Sequence, residues 1–264
     1  MEKSIIFFSI ALATQYMKEL SLDQVKTRER LLQLLYKRRT SHIGSCFSCV
    51  DIIDAIYRVK KKDESFVLSA GHAAMALYAV LERKGVISSL DIDKFNVHPD
   101  RNEEIEIDCS TGSLGQGLPI AVGMALADRS KRVYCVLGDG ECAEGSVWEA
   151  LRVGSELKLT NLIVVVNANG YAAYDETDLP ALIKRISSFG WNVVGVDGHD
   201  ISELTRVLSD NDGEFQQPLV VFAFTKVDHF PFLDGLDAHY YVMNSVDYEA
   251  AVRVLNLQKE KLWT

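Results

Sequence analysis

The stretch Val133-Tyr134-Cys135-Val136-Leu137-Gly138-Asp139-Gly140 is a β-prone apolar run that passes directly into a carboxylate flanked by two glycines. A strand that is apolar at successive positions, rather than at alternate ones, is buried on both faces, as in a parallel sheet covered by helices on each side. The full run spans 132–137, and four others share its character, at 65–69, 162–166, 191–196 and 219–224. Helical patterns fall between them at 115–128, 145–158, 178–188 and 200–209, with further helices over roughly 10–60. Strands spaced by about thirty residues with helices between them make βαβ crossovers. The sequence therefore predicts an α/β fold: one doubly wound, mainly parallel sheet with helices on both faces, a single domain over 1–264 with 1–14 as an N-terminal extension.

Composition narrows the class. The 264 residues carry 28 Lys+Arg against 37 Asp+Glu, a formal charge of −9, with 48% hydrophobic and 25% charged residues. That excludes a disordered chain and supplies the core of a large domain. An acidic chain without a basic face argues against nucleic acid as a partner. The five cysteines (46, 49, 109, 135 and 142) are an odd set, which suits reduced thiols in the cytoplasm. Cys46-Phe47-Ser48-Cys49 is a CxxC without a second pair to complete four zinc ligands, and it reads as small apolar residues on a buried helix face. Lys3 and the run Ile5 to Ala13 imitate a secretory signal, but the run is too short to span a bilayer. No membrane association is expected.

In such sheets ligands bind beyond the carboxyl ends of the strands, where connections diverge to opposite faces. Gly138-Asp139-Gly140 and Asn167-Ala168-Asn169-Gly170 stand at two such ends, one βαβ unit apart. Each alone is an ordinary turn sequence. On neighbouring strands their ends lie about 5 Å apart. A carboxylate and an amide oxygen there suit one hard cation that completes its shell with phosphate oxygens. Ser110 to Gly117 opens an apolar helix with glycines and hydroxyls able to present backbone N–H groups; it is neither a Walker loop nor a GxGxxG after a strand.

Gly138-Asp139-Gly140 followed by Asn169 matches the thiamine diphosphate fingerprint, and the stretch from Gly138 to Ala150 resembles the corresponding segment of transketolases. So do Ser69-Ala70-Gly71-His72, the loop Ser110 to Gly117, His98-Pro99-Asp100 and His42-Ile43-Gly44, in the right order over roughly 15–240. The resemblance is to the diphosphate-binding domain alone. It implies a thiamine-diphosphate-binding fold and the N-terminal subunit of a split-gene transketolase. Its partner would be a C-terminal subunit carrying the pyrimidine-binding domain, in an α2β2 assembly.

By position, the resemblance implies that Asp139, Asn169 and the Tyr171 carbonyl bind Mg²⁺ (or Ca²⁺). Gly140 and His72 would contact the diphosphate, and Gly112, Ser113 and Leu114 the cofactor ring. His42 and His98 would line the sugar phosphate pocket, His239 would approach both diphosphate and substrate, and Glu144 would join a carboxylate network between two active sites. An exposed apolar face is expected around the strand ends and 144–158 as the partner surface. The sequence departs from the family at Lys226-Val227-Asp228-His229, where two glycines are missing, at Asn167 in place of an aspartate, and at Ser41 in place of a glycine. The reaction implied is transfer of a two-carbon ketol unit from a ketose to an aldose. The alternatives are the α subunit of a 2-oxoacid dehydrogenase, a deoxyxylulose-phosphate-synthase type of enzyme, or a non-catalytic binding subunit.

Overall fold

The computed structural model describes residues 19–209 and 216–262; the expected N-terminal extension and the signal-like run lie outside the described residues. Helices α1 (Leu22–Arg38) and α2 (Ile43–Val59) precede β1 (Ser65–Leu68), which leads to α3 (Ala74–Arg83), the short α4 (Ser89–Ile92) and α5 (Gly117–Ala127). The chain continues through β2 (Val133–Gly138), α6 (Gly145–Glu156), β3 (Leu162–Ala168), α7 (Leu179–Ser188), β4 (Asn192–Asp197), α8 (Ile201–Ser209), β5 (Leu219–Phe224) and α9 (Ser245–Lys261). All five expected strands form one sheet, every pair parallel, in the order β1-β2-β3-β5-β4.

The strands read as continuous apolar runs because each face of the sheet has its own core. Phe66, Tyr134, Val136, Ile163, Val165 and Val221 pack on the side of α1–α3, α8 and α9. Cys135, Leu137, Val164, Val166 and Phe222 alternate with them and meet α5, α6 and α7, as period-two side-chain alternation requires. After β1 the chain turns to the first face through α3, and after β2 it turns to the second through α6. The two strand ends therefore bound an open crevice, the place where this sheet type binds ligands.

Helix α2 positions the site from one side. It is buried from Ile43 through Tyr57, so its polar residues must be paired. Ser48 accepts from Asn167 Nδ2 at 2.8 Å. Asp51 takes two bonds from Arg28, at 2.7 and 3.0 Å. Asp54 pairs with Arg58 and Arg83. Cys46 and Cys49 lie on this buried helix with free thiols, and burial pushes Cys46 up to about 12. Among the described residues no helix is long and apolar enough to cross a membrane.

Candidate active site

The floor of the crevice is built by β2 and β3. Gly138 pairs with Asn167 in register, and the Asp139 N–H donates to the Asn167 carbonyl at 3.2 Å. Strand β3 runs two residues beyond its expected end, so Asn167 is buried inside the sheet and Asn169 is the first residue past it. Asn167 donates to Ser48 and accepts from Thr225 Oγ1 at 2.6 Å. The residue standing where the family carries an aspartate thus ties β3 to α2 and to the end of β5.

Asp139 is 2% exposed. Its carboxylate accepts from Gly140 N at 3.0 Å and from Gly170 N at 2.7 Å, and no ion pair joins it to a cation among the described residues. Burial pushes it up to about 7, against the opposing pull of those N–H groups. Asn169 is held beside it, its Oδ1 accepting from Tyr171 N at 3.0 Å. A buried carboxylate, an amide oxygen and the adjacent backbone carbonyl form an oxygen-only donor set, suited to Mg²⁺ or Ca²⁺. A Cβ on Gly140 would lie 2.6 Å from Ala172 Cα, and one on Gly112 (φ +137°) would lie 2.8 Å from His98 Cγ. Both positions need glycine for close approach and, at Gly112, for the backbone angle.

Three histidines converge above this floor. The His42 ring centroid lies 4.6 Å from that of His239 and 5.2 Å from that of His72, and His72 and His239 are 5.7 Å apart. The His42 N–H donates to the His239 carbonyl at 3.0 Å, which clamps the loop after β5 onto the start of α2. The loop that lost its two glycines therefore still delivers its histidine. His42 adopts φ +63°, a left-handed conformation that costs a non-glycine residue about 1 kcal/mol or more. Its Nδ1 is buried without a partner. Burial, then the neighbouring imidazoles, lowers His42 to about 4 and His72 to about 3; burial also lowers His239. These rings are neutral at physiological pH, each offering one donor and one acceptor nitrogen.

The cleft has a volume of about 220 Å³ and brings together every site residue expected from the sequence except Ser113. Ser113 is exposed and does not line it. His98 stands at the mouth, exposed, with Tyr174 (76% exposed) and Tyr240 (66% exposed). Glu144 is exposed at the start of α6 and makes no cap bond. Reading residue types along the chain missed Glu141. It is 2% exposed, accepts from Ser69 Oγ at 2.5 Å, Gly115 N at 2.8 Å and Gly138 N at 3.3 Å, and is pushed up by burial. It ties β1, the glycine loop and β2 together behind the cleft. The only hint in the sequence was a second carboxylate two residues after Asp139.

One expectation needs correction. The outer face of α6 is charged, with Arg152 paired to Glu149 and Glu156, and only its Leu157 end is apolar and exposed. The exposed apolar surface lies instead on α5 and its approach, at Leu114, Ile120 and Leu126. The reason is local: α6 is amphipathic, whereas α5 is apolar all round, so no choice of buried face can hide it.

Residues 24–231 match the family described as the transketolase, thiamine diphosphate binding domain. The chain is 33% identical to one of the two-part enzymes' components, an apulose-4-phosphate transketolase subunit of Phocaeicola vulgatus, over 92% of this chain and 96% of that one. It is 31% identical to a 6-deoxy-6-sulfo-D-fructose transketolase subunit of a Clostridium species, over 88% and 94% of the two. Against human transketolase the identity is 36%, over 70% of this chain but 33% of the other; the chain spans about a third of the length of such relatives. A crystal structure of a Pichia stipitis transketolase variant superposes with a TM-score of 0.74 at 22% identity, covering 91% of this chain and 45% of that one, which shows the fold. The chain belongs to the transketolase family and carries its thiamine diphosphate binding domain.

Proposed function

We propose that this chain is the N-terminal subunit of a transketolase-like enzyme that moves a two-carbon ketol unit from a ketose to an aldose. It works with a second subunit carrying the pyrimidine-binding domain, in an α2β2 assembly. The observation that carries the reading is Asp139: a buried carboxylate with two N–H donors and no cation, beside Asn169 at the ends of paired strands. In this reading Asp139, Asn169 and the Tyr171 carbonyl hold Mg²⁺ (or Ca²⁺), His72 and the Gly140 N–H meet the diphosphate, and Gly112, Ser113 and Leu114 flank the ring. When bound, the cofactor supplies an electron sink for the two-carbon fragment.

The chain's own residues bind and orient. His42, His98 and His239 hydrogen-bond the hydroxyl and carbonyl oxygens of the sugar, the neutral His42 and His239 rings donating from one nitrogen and accepting at the other. Such fixed donors favour the reacting geometry because they need no reorganisation as charge shifts. The names of the two subunit relatives carry a phosphate and a sulfo group, which supports an anionic sugar as the substrate class. The near-equal lengths of those relatives and the uncovered apolar side of α5 support the partner. Obligate interfaces of this kind bury more than about 2,000 Å² in total. Glu144, exposed at the start of α6, is placed in this reading against the partner.

The test is calorimetric titration of thiamine diphosphate with Mg²⁺ into the assembled enzyme and into its Asp139→Ala variant. Metal-dependent binding should weaken by at least a hundredfold while the variant stays folded. Unchanged affinity would overturn the site assignment.

A further inference from the structure

A second cavity, of about 230 Å³, opens beyond the carboxyl ends of β4 and β5 against α1, α2 and α9, and shares no lining residue with the cleft. Arg28, Phe47, His199, Lys226, His229 and Gln258 face it. Three of its polar atoms, His199 Nε2, His229 Nε2 and Gln258 Oε1, are shut off from solvent and have no hydrogen-bond partner. Each such atom costs about 1–3 kcal/mol if it stays unpaired. Three of them around one cavity require an occupant.

The chemistry of the walls describes that occupant. His199 is 2% exposed, and its Nδ1 lies 2.9 Å from Asp51 Oδ2 and 3.0 Å from Arg28 Nη2. The ring is thereby fixed from behind, and Nε2 is left for the cavity. His229 sits with its ring 5.3 Å from that of His199, edge to face. Burial, then His199, Arg28 and Lys226, keep His229 neutral, and the Lys226 carbonyl takes its ring hydrogen bond. Its Nε2 is consequently a bare acceptor, as is Gln258 Oε1. Lys226 is half-buried and makes no ion pair among the described residues. Two acceptors call for hydroxyl hydrogens, and the ammonium calls for an anion. The volume suits a ligand of a few carbons, or about seven waters at about 30 Å³ each; water would meet the acceptors but would leave the ammonium without a counter-charge. His229 and Lys226 also flank the segment where the family's two glycines are missing.

We propose that this cavity is a second ligand site, for a short polyol bearing one anionic group. Its hydroxyls donate to His229 Nε2 and Gln258 Oε1, and its anion meets Lys226. The site is independent of ketol transfer. Four probes separate its parts in calorimetric titration of the whole chain: glycerol 3-phosphate, glycerate, inorganic phosphate and glycerol. At least one of the first two should bind at a single site, and both inorganic phosphate and glycerol at least tenfold more weakly; whichever of the first pair binds better identifies the anionic group. Lys226→Met should weaken binding at least tenfold, and Gln258→Met, on the half-buried outer turn of α9, should do so at least threefold if the first variant misfolds. Asp139→Asn should leave it unchanged. Absence of heat with both polyol anions, equal binding of inorganic phosphate, or loss of binding in Asp139→Asn would overturn the proposal.

Discussion

Asp139 and His72 stand a few residues from their strand ends, and both are held in protonation states that favour a ligand over the empty fold. In the unfolded chain His72 titrates near 6.5; in the cleft it is lowered to about 3. Between those values the unfolded state binds a proton that the folded state refuses, so stability is full above about pH 6.5 and is lost as pH falls toward 3. Asp139, raised to about 7, acts in the opposite sense, with stability lost as pH rises from the ordinary carboxylate range through 7. Chemical denaturation from pH 3.5 to 6.5 should show the histidine effect: His72→Gln should flatten the slope by up to about 1.4 kcal/mol per pH unit. An unchanged slope would place the acid sensitivity elsewhere. Asp139 and Asn169 were legible in the sequence because strand ends in a βαβ unit have a fixed geometry. Glu141 was not, because a glutamate in a first helical turn is ordinarily solvated, and only the fold brings Ser69 and Gly115 to it.

At the scale of elements, α1 and α2 are joined by a buried, bidentate Arg28–Asp51 pair whose side chains are each 3% exposed. Burial alone would raise Asp51, but Arg28 and then His199 lower it. Removing one partner leaves an uncompensated buried charge, so Arg28→Met should lose about 3–5 kcal/mol in urea unfolding, and pairing it with Asp51→Leu should recover most of that loss. Equal losses in the single and double variants would contradict this account of the pair. The strands and helices from 65 onward were legible to within about two residues, since continuous apolar runs and 3.6-residue patterns are local signals. The insertion of β5 between β3 and β4 was not, because the apolar runs are alike and nothing in them ranks neighbours. The polar residues of α2 were equally silent: Asp51 reads as solvated until Arg28 and His199 are seen to arrive from distant elements.

For the whole molecule, the half-open cleft and the bare side of α5 belong to one arrangement. The residues that grip the diphosphate end are present in this chain; full-length transketolases are about three times as long. The apolar exposure at Leu114, Ile120 and Leu126 begins at the cleft and continues along α5, so a partner seated there would cover the cofactor and the helix together. The central claim is tested most directly by ketol transfer. The purified 264-residue chain, with thiamine diphosphate, Mg²⁺ and a panel of anionic ketose donors and aldose acceptors, is assayed alone. It is then assayed after addition of a protein carrying the pyrimidine-binding and C-terminal transketolase domains, with the mass followed by light scattering. Turnover only in the mixture, with the mass of an α2β2 complex, is the expected result. Comparable turnover from the chain alone would contradict it.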